Sequence, residues 1–221
     1  MTRICVLDYG VGNLRSVANA VTAAGGEAII SGDSAVAAAA HGIIVPGVGA
    51  FPHVREQLMA SGLDKVVLAA VSEGKPVLGI CVGMQLLFER GLEFEDVPGM
   101  GLIPGIVERI APLGSQERLP HIAWARPQIM AEVAGNMFAG SSELDCRFYF
   151  LHSYTARRVP LEFVAATTDY ESYPIVAAVR NGMLWGTQFH PEKSGQAGLL
   201  FLRNFIAACE TASEAVSDAA I

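Results

Sequence analysis

The stretch PVLGICVGMQLLFERG, residues 76–91, places one cysteine, Cys81, where an apolar run ends and a helical pattern begins. Gly79 and Gly83 flank it evenly and give the form Gly-x-Cys-x-Gly. This is the thiol counterpart of the Gly-x-Ser-x-Gly elbow, in which a nucleophile tops a tight turn from a strand into a helix. We therefore predict that Cys81 stands exposed at such a turn, where the N–H groups of a helix N-terminus favour its thiolate.

Apolar and amphipathic segments alternate on either side of this elbow. Short apolar runs near residues 3–8, 27–30 and 42–47 predict strands. The segments between them have apolar residues at helical spacing, and Asn13 is the predicted N-cap of the first helix. Such alternation is typical of βαβ units and of a mostly parallel sheet.

The composition is that of a globular domain with a real core. The chain has 221 residues, of which 52% are hydrophobic and 17% are charged. We predict an α/β fold with one domain over residues 1–209, built on an open, mostly parallel sheet with flanking helices. Residues 210–221 form a polar tail that is a candidate for disorder.

Charge and cysteine usage exclude several classes of partner. The net charge of −7 argues against a nucleic acid or an anionic membrane surface. No apolar run is long enough to span a bilayer, and the first residues lack the pattern of a signal peptide. The remaining cysteines are scattered in apolar segments with no C-x-x-C pair: Cys5, Cys146 and Cys209. We therefore expect a cytoplasmic protein with no metal site, disulfide framework or cofactor.

A thiolate nucleophile needs a group that moves protons, most often a histidine. His190 is the strongest candidate, because an apolar strand ends there and Glu192 follows at a distance that lets it hold the imidazole. His152 also lies at a predicted strand end and is the second choice. The other histidines have no comparable context: His41, His53 and His121.

The stretch GIIVPGVGAF, residues 42–51, predicts a set of backbone donors. Glycines after a strand leave their N–H groups free to approach a substrate oxygen closely. Together with the amide after the nucleophile, they form a candidate oxyanion hole made of Gly47, Val48, Gly49 and Val82. The alternative interpretation of this stretch is a plain glycine-rich turn.

A partial dinucleotide fingerprint is also present. Gly10 and Gly12 follow the first predicted strand, and Asp33 comes roughly 20 residues later, as that fingerprint requires. Its third small residue is replaced by Arg15, so we do not favour dinucleotide binding.

The motifs together resemble a known family. GICVGMQLL and FHPEKS resemble the nucleophile and His-Pro-Glu motifs of class I, triad-type glutamine amidotransferases. DYGVGNLRSV, VPGVGAF, LPHIAW and YFLHSY resemble, more narrowly, the glutaminase subunits of imidazole glycerol phosphate synthases. The resemblance covers nearly the whole chain. It implies a flavodoxin-like fold and the hydrolysis of L-glutamine to glutamate and ammonia. The ammonia would pass to a (β/α)₈-barrel cyclase, the other half of a heterodimer in histidine biosynthesis.

The resemblance also implies roles for individual residues. Cys81 would be the nucleophile, His190 the acid and base, and Glu192 the residue that orients His190. In relatives the glycine strand of the oxyanion hole is thought to rearrange before it works. Two further sets follow, one holding the amino-acid end of the substrate and one near the partner: Gln85, His152, Ser153 and Tyr154, and Asn13, Trp124 and Lys193.

One loop departs from the family pattern. The usual Pro-His-Met-Gly-Trp-Asn is replaced here by a sequence with Ala123 and Ala125, which puts the interface role of that loop in doubt. Other functions also remain open from the sequence. They are a glutaminase serving pyridoxal phosphate or anthranilate synthesis, a cysteine peptidase or related hydrolase, and a silent scaffold that only regulates its synthase.

Overall fold

Strands and helices alternate along the first half of the chain, and strands dominate the second half. The structure, a computed structural model, describes residues 1–111, 119–141, 146–170 and 173–219. Its strands are β1 (Arg3–Leu7), β2 (Glu27–Ser31), β3 (Gly42–Gly47), β4 (Val77–Cys81), β5 (Phe88–Gly91), β6 (Val97–Pro98), β7 (Ile103–Arg109), β8 (His121–Ala125), β9 (Gln128–Ile129), β10 (Phe148–His152), β11 (Tyr154–Arg157), β12 (Val164–Tyr170), β13 (Tyr173–Asn181) and β14 (Leu184–Thr187). Its helices are α1 (Leu14–Ala23), α2 (Ser34–Ala39), α3 (Phe51–Ser61), α4 (Leu63–Ser72), α5 (Val82–Gln85), α6 (Ala131–Ala134) and α7 (Gly195–Ala219).

The main sheet has eight strands in the order β2-β1-β3-β4-β14-β13-β12-β9. The first five strands are parallel to one another, and the last three add antiparallel pairs. Strands β3, β4 and β14 are buried along their whole length, as expected for parallel strands covered on both faces. The predicted α/β fold with a mostly parallel sheet is confirmed. The carboxyl ends of these three strands meet at one edge of the sheet, which is where open α/β sheets bind ligands.

Helix α7 covers the sheet with aromatic side chains. Phe201 and Phe205 pack edge-on against Trp185 of β14, and α1 packs against α7 in turn. Helix α7 continues to Ala219, so it runs through most of the segment predicted as a polar tail. Within the described residues, every helix is too short or too polar to cross a membrane.

Two smaller sheets carry the loops above the main sheet. One has the order β11-β7-β5-β6, and the other pairs β10 with β8. The second places the end of β10 over the end of β4, where Leu151 approaches Cys81.

The structure adds detail at three places along the chain. The helix after the elbow is a single turn, α5, and the chain then enters β5 because Leu86, Leu87 and Phe88 are all fully buried and leave no polar helix face. The apolar segment 175–189 forms a hairpin of β13 and β14. Asn13 does occupy the N-cap of α1, but its side chain makes no capping hydrogen bond.

Candidate active site

Cys81 ends β4 and caps α5, as the elbow pattern predicted. Its backbone has φ 54° and ψ −111°, a region that residues with a Cβ rarely adopt. Strain of this kind is typical of a nucleophile elbow. Only 4% of Cys81 is exposed, so it is more buried than predicted. The reason is the β8–β10 pair above it, since the Cys81 Sγ lies 4.0 Å from the carbonyl oxygen of Leu151.

The glycines around Cys81 allow backbone segments to approach closely. A Cβ atom on Gly79 would lie 2.7 Å from the carbonyl oxygen of Gly83, and one on Gly47 would lie 2.5 Å from the Gly83 nitrogen. Gly47 is also the register partner of Cys81 in the parallel pairing of β3 with β4. The glycines therefore bring the predicted oxyanion segment directly beside the nucleophile.

The structure brings the three predicted catalytic side chains together. His190 lies just beyond β14, and its backbone N–H donates to the Tyr149 carbonyl at 2.9 Å. Its Nδ1 lies 2.8 Å from Glu192 Oε1, and both side chains are almost fully buried. The His190 ring also hydrogen-bonds with Cys81, so one imidazole bridges the thiol and the carboxylate. The second carboxylate oxygen of Glu192, Oε2, has no hydrogen-bond partner among the described residues.

Opposing effects set the charge of His190. Burial of the ring disfavours protonation, but hydrogen bonds to Cys81 and Glu192, with their negative charges, outweigh it and raise the pKa of His190 to about 10. A protonated imidazole beside the sulfur is the partner that a cysteine nucleophile needs.

Ser194 fixes the loop that carries His190. Its hydroxyl donates to the His190 carbonyl at 2.6 Å and accepts from the Tyr149 N–H at 3.0 Å. Because Tyr149 belongs to β10, this serine joins the His190 loop to the strand that covers Cys81.

The predicted oxyanion residues lie at the cleft edge with one exception. Val48, Gly49 and Val82 line the cleft beside Cys81, while Gly47 packs beneath them against the elbow backbone. Tyr9 holds this segment from behind, because its buried hydroxyl donates to the Pro46 carbonyl.

A cleft with a volume of about 220 Å³ opens over the nucleophile. The four residues predicted to hold the amino-acid end of a substrate all line it: Gln85, His152, Ser153 and Tyr154. Gln85 Nε2 donates to the Tyr154 carbonyl at 3.2 Å and to Gln188 Oε1 at 3.0 Å. Both N–H groups of Gln85 are therefore engaged, and its Oε1 remains as the acceptor for a ligand.

His152, the second choice for the base, has both ring nitrogens occupied. Its Nδ1 lies 2.8 Å from the Tyr154 carbonyl oxygen and therefore carries the proton, and its Nε2 lies 3.0 Å from His121 Nδ1. Burial lowers the pKa of His152 to about 3 and that of His121 to about 4, so the pair is neutral. No role was predicted for His121, and the structure pairs it with His152. No group of three or more metal-binding side chains occurs in the described residues.

Two residues of the site, Glu93 and Gln188, were missed from the sequence. Glu93 lines the cleft, and its Oε2 accepts the Phe51 N–H at 2.7 Å. Burial raises the pKa of Glu93, although the bond from Phe51 opposes this. Gln188 is buried two residues before His190. Neither residue belongs to a motif whose spacing predicts a functional role. Glu93 also lies in an acidic loop, and such loops are typical of the solvated surface.

The predicted partner residues gather beside the cleft. Trp124 is 53% exposed, and its ring lies 5.7 Å from that of Tyr149. Lys193 lines the cleft and places its Nζ 5.8 Å from the centroid of the same Tyr149 ring. Asn13 precedes α1, which packs against the turn Pro191–Lys193.

The departure from the family loop falls within a regular strand. Ala123 and Ala125 belong to β8 and pair with Phe150 and Phe148 of β10. The pairing accommodates a methyl group at residue 123, while nothing in the structure explains the loss of the asparagine at residue 125.

Comparisons with known proteins show the family of this chain. The sequence profile of the family described as glutamine amidotransferase class-I matches residues 5–209. A protein of Thermobifida fusca, named imidazole glycerol phosphate synthase subunit HisH, is 47% identical over 93% of this chain and 98% of its own length. The protein of the same name from Nocardia farcinica is 44% identical over 93% of this chain and 99% of its own.

Solved structures share the fold at lower identity. A putative GMP synthase protein from Thermoplasma acidophilum superimposes with a TM-score of 0.71 at 22% identity, covering 98% of each chain. A structure described as a glutamine amidotransferase gives 0.69 at 21% identity, covering 94% of this chain and 98% of that one.

Proposed function

Because the chain belongs to the family of class I glutamine amidotransferases, we propose that it is the glutaminase subunit of an imidazole glycerol phosphate synthase. It hydrolyses L-glutamine to glutamate and supplies ammonia for histidine biosynthesis. The observation that carries the chemistry is the bridge formed by His190 between Cys81 and Glu192. Full-length identity of 40–47% to subunits of that name favours this synthase over glutaminases that serve pyridoxal phosphate or anthranilate synthesis.

The first half of the reaction uses the thiolate and the imidazolium. The Cys81 sulfur attacks the side-chain amide carbon of glutamine, and the resulting oxyanion accepts hydrogen bonds from the backbone near Gly49 and Val82. Collapse breaks the C–N bond while His190 gives its proton to the leaving nitrogen. Ammonia departs and a γ-glutamyl thioester remains on Cys81.

The second half restores the enzyme. Water gives a proton to His190 as its oxygen attacks the thioester carbon. The C–S bond breaks, glutamate leaves, and the thiolate is again paired with the imidazolium. Glu192 keeps His190 in one orientation throughout, because its carboxylate accepts from Nδ1.

The cleft fits the charged ends of a free amino acid. Gln85 offers its Oε1 and Glu93 its carboxylate, so both suit the α-ammonium group. The main chain at Ser153 and Tyr154 lies nearby for the α-carboxylate. An acidic group in the cleft is the feature that favours a free amino acid over a peptide, which has no α-ammonium group at that position.

The ammonia acceptor belongs to another chain. The cleft described above serves the glutaminase reaction. Ammonia released into bulk water becomes protonated and loses its nucleophilicity, so it must be passed directly to an acceptor site. We propose a (β/α)₈-barrel cyclase that docks over the cleft at Asn13, Trp124 and Lys193. We also propose a cytoplasmic location, because a reducing compartment keeps the nucleophilic thiol available.

The test is glutamate release from glutamine by the purified chain, measured alone and with a cyclase partner that carries its nucleotide ligand. We expect strong release only with the liganded partner, and none from the Cys81→Ala variant, which still folds and binds the partner. Vigorous release by the lone chain would point to a different glutaminase. Release by the Cys81→Ala variant would contradict the assignment of the nucleophile.

A further inference from the structure

Gln188 is a fully buried side chain beside the nucleophile. It follows Thr187, the last residue of β14, and none of its surface is exposed. Its Nε2 lies 3.7 Å from Cys81 Sγ, within hydrogen-bond range for sulfur. A primary amide is costly to bury unless it is hydrogen-bonded, so the buried side chain of Gln188 needs hydrogen-bond partners.

The orientation of this amide follows from its neighbours. The backbone carbonyl of Tyr154 can only accept, so it is the nitrogen of Gln85 that faces it at 3.2 Å. The same nitrogen lies 3.0 Å from the Gln188 side chain and therefore faces its oxygen. The nitrogen of Gln188 is left to point at the sulfur of Cys81. A chain of donors thus runs from the nucleophile to the Tyr154 carbonyl.

We propose that Gln188 is a further catalytic residue of this site, whose side-chain amide donates a hydrogen bond to the Cys81 thiolate. This deepens the proposed function and rests on it for the reaction served. An amide N–H only donates, so it stabilises sulfur when sulfur is negative and contributes less when sulfur is protonated or acylated. His190 moves its proton during the reaction, whereas Gln188 keeps its own and can donate to the sulfur whenever the thiolate is present.

The donor has different consequences for the two halves of the reaction. A stabilised thiolate is present in a larger fraction but is a weaker nucleophile, so the two effects partly cancel in the attack on glutamine. In thioester hydrolysis the sulfur is the leaving group, and a stabilised thiolate leaves faster. Loss of Gln188 is therefore expected to slow hydrolysis of the thioester more than its formation.

The decisive experiment measures the reactivity of Cys81 without any glutamine turnover. Iodoacetamide alkylation of Cys81 is followed by peptide mass spectrometry across a pH series in the wild type, Gln188→Met and Gln188→Glu. Methionine keeps the length and removes the donor, and glutamate keeps the shape and replaces the donor with an oxygen. We expect Gln188→Met to raise the pH midpoint of alkylation by about one unit, which is about a tenfold lower rate below the midpoint. The shift in Gln188→Glu should be larger, because a carboxylate repels the thiolate.

The matched control is Thr187→Val, which removes the neighbouring buried hydrogen bond from Oγ1 to the Phe189 carbonyl without touching Cys81. It should lower stability and leave the midpoint unchanged. An unchanged midpoint in Gln188→Met, or an equal shift in Thr187→Val, would overturn the proposal. If the methionine variant does not fold, Gln188→Ala, which also removes the donor without adding a charge, is measured in its place. Alkylation is independent of glutamine, so failure here leaves the glutaminase proposal standing, and failure of that proposal leaves this result readable.

Discussion

Gly83 lies directly against Val45, so that a Cβ atom at Gly83 would come within 1.9 Å of the Val45 carbonyl oxygen. Substitution of Gly83 by alanine must therefore push the elbow away from β3. We expect Gly83→Ala to lower the free energy of unfolding by about 1–3 kcal/mol. Glutaminase activity should fall about 10²-fold, because the nucleophile is displaced.

The control for Gly83→Ala is Gly74→Ala. Gly74 has a φ of 71° with open space around its Cβ position. That variant should cost about 1–2 kcal/mol of stability through its backbone alone, with full activity per folded molecule. The folded fraction of each variant is measured by urea unfolding, and activity is compared per folded molecule. Equal activity of the two variants would show that the close approach of Gly83 to Val45 is not needed for catalysis.

The choice between the two cleft histidines can be tested by paired alanine variants. His190→Ala should lower kcat by roughly 10²–10⁴-fold, the range for a general acid–base group. His152→Ala should retain more kcat and mainly raise KM for glutamine, because both nitrogens of His152 are engaged by Tyr154 and His121. Steady-state glutamate release measures both effects. A mild His190→Ala with a severe His152→Ala would mean that the base is His152.

Alkaline pH should weaken the fold through His190. Its pKa rises from 6.5 to about 10 in the folded protein, so folding favours the protonated ring. This contribution to stability is fully present below pH 6.5 and is lost as the pH rises through about 10. The free energy of unfolding, measured with urea, should fall more steeply between pH 6.5 and about pH 10 in the wild type than in His190→Gln. The exposed His53→Gln variant should behave like the wild type, and identical slopes in all three proteins would refute the coupling.

Acid should weaken the fold through the buried histidine pair. The pKa values of His152 and His121 fall from 6.5 to about 3 and about 4, so folding favours the neutral rings. Their contribution is present above pH 6.5 and is lost as the pH falls towards those values. His121→Phe keeps an aromatic ring stacked on Phe150. Near neutral pH its free energy of unfolding should be about 1 kcal/mol lower than that of the wild type. When the pH is lowered, its free energy of unfolding should fall by less than that of the wild type. An acid loss equal to that of the wild type would exclude His121 as a cause.

Trp124 is expected to dominate binding of the proposed partner. Its exposed ring beside Tyr149 has the features of an interface anchor. Truncation of such an anchor typically costs about 2 kcal/mol or more, so Trp124→Ala should weaken binding by about 30-fold in calorimetric titration with the cyclase. Leu161→Ala, at another exposed apolar residue, is the control. Comparable affinities of the two variants would move the interface away from Trp124.

The parts of the site that could be predicted from the sequence are those marked by glycine positions or by residue spacing. The elbow around Cys81 was recognisable because glycines are needed where backbones nearly touch, and the pairing of His190 with Glu192 followed from their spacing after a strand end. Gln188 was not recognisable, because a polar residue at a strand end is typical of exposed positions. Only the tertiary fold shows that Gln85 and Cys81 contact it and that none of its surface is exposed.

The remaining differences come from interactions distant in sequence. Apolar residues after α5 fit a helix and a buried strand equally well, and the pairing of β5 with β7 decides between them. His121 gained a partner only through the pairing of β8 with β10. Glu93 faces the cleft because Phe51, at the start of α3, donates to it. Local patterns carry no information about such contacts.

The position of β14 in the main sheet bears on how the protein is made. It is the last strand along the described chain, yet it lies between β4 and β13 in the middle of the eight-stranded order. A ribosome therefore finishes β4, with its nucleophile, long before the strand that completes the sheet and delivers the base. Until then both neighbours of β14 present open edges of the kind that recruit other chains. We therefore expect the nascent chain to be inactive, with two open strand edges, until β14 and His190 have been made and β14 inserts between β4 and β13.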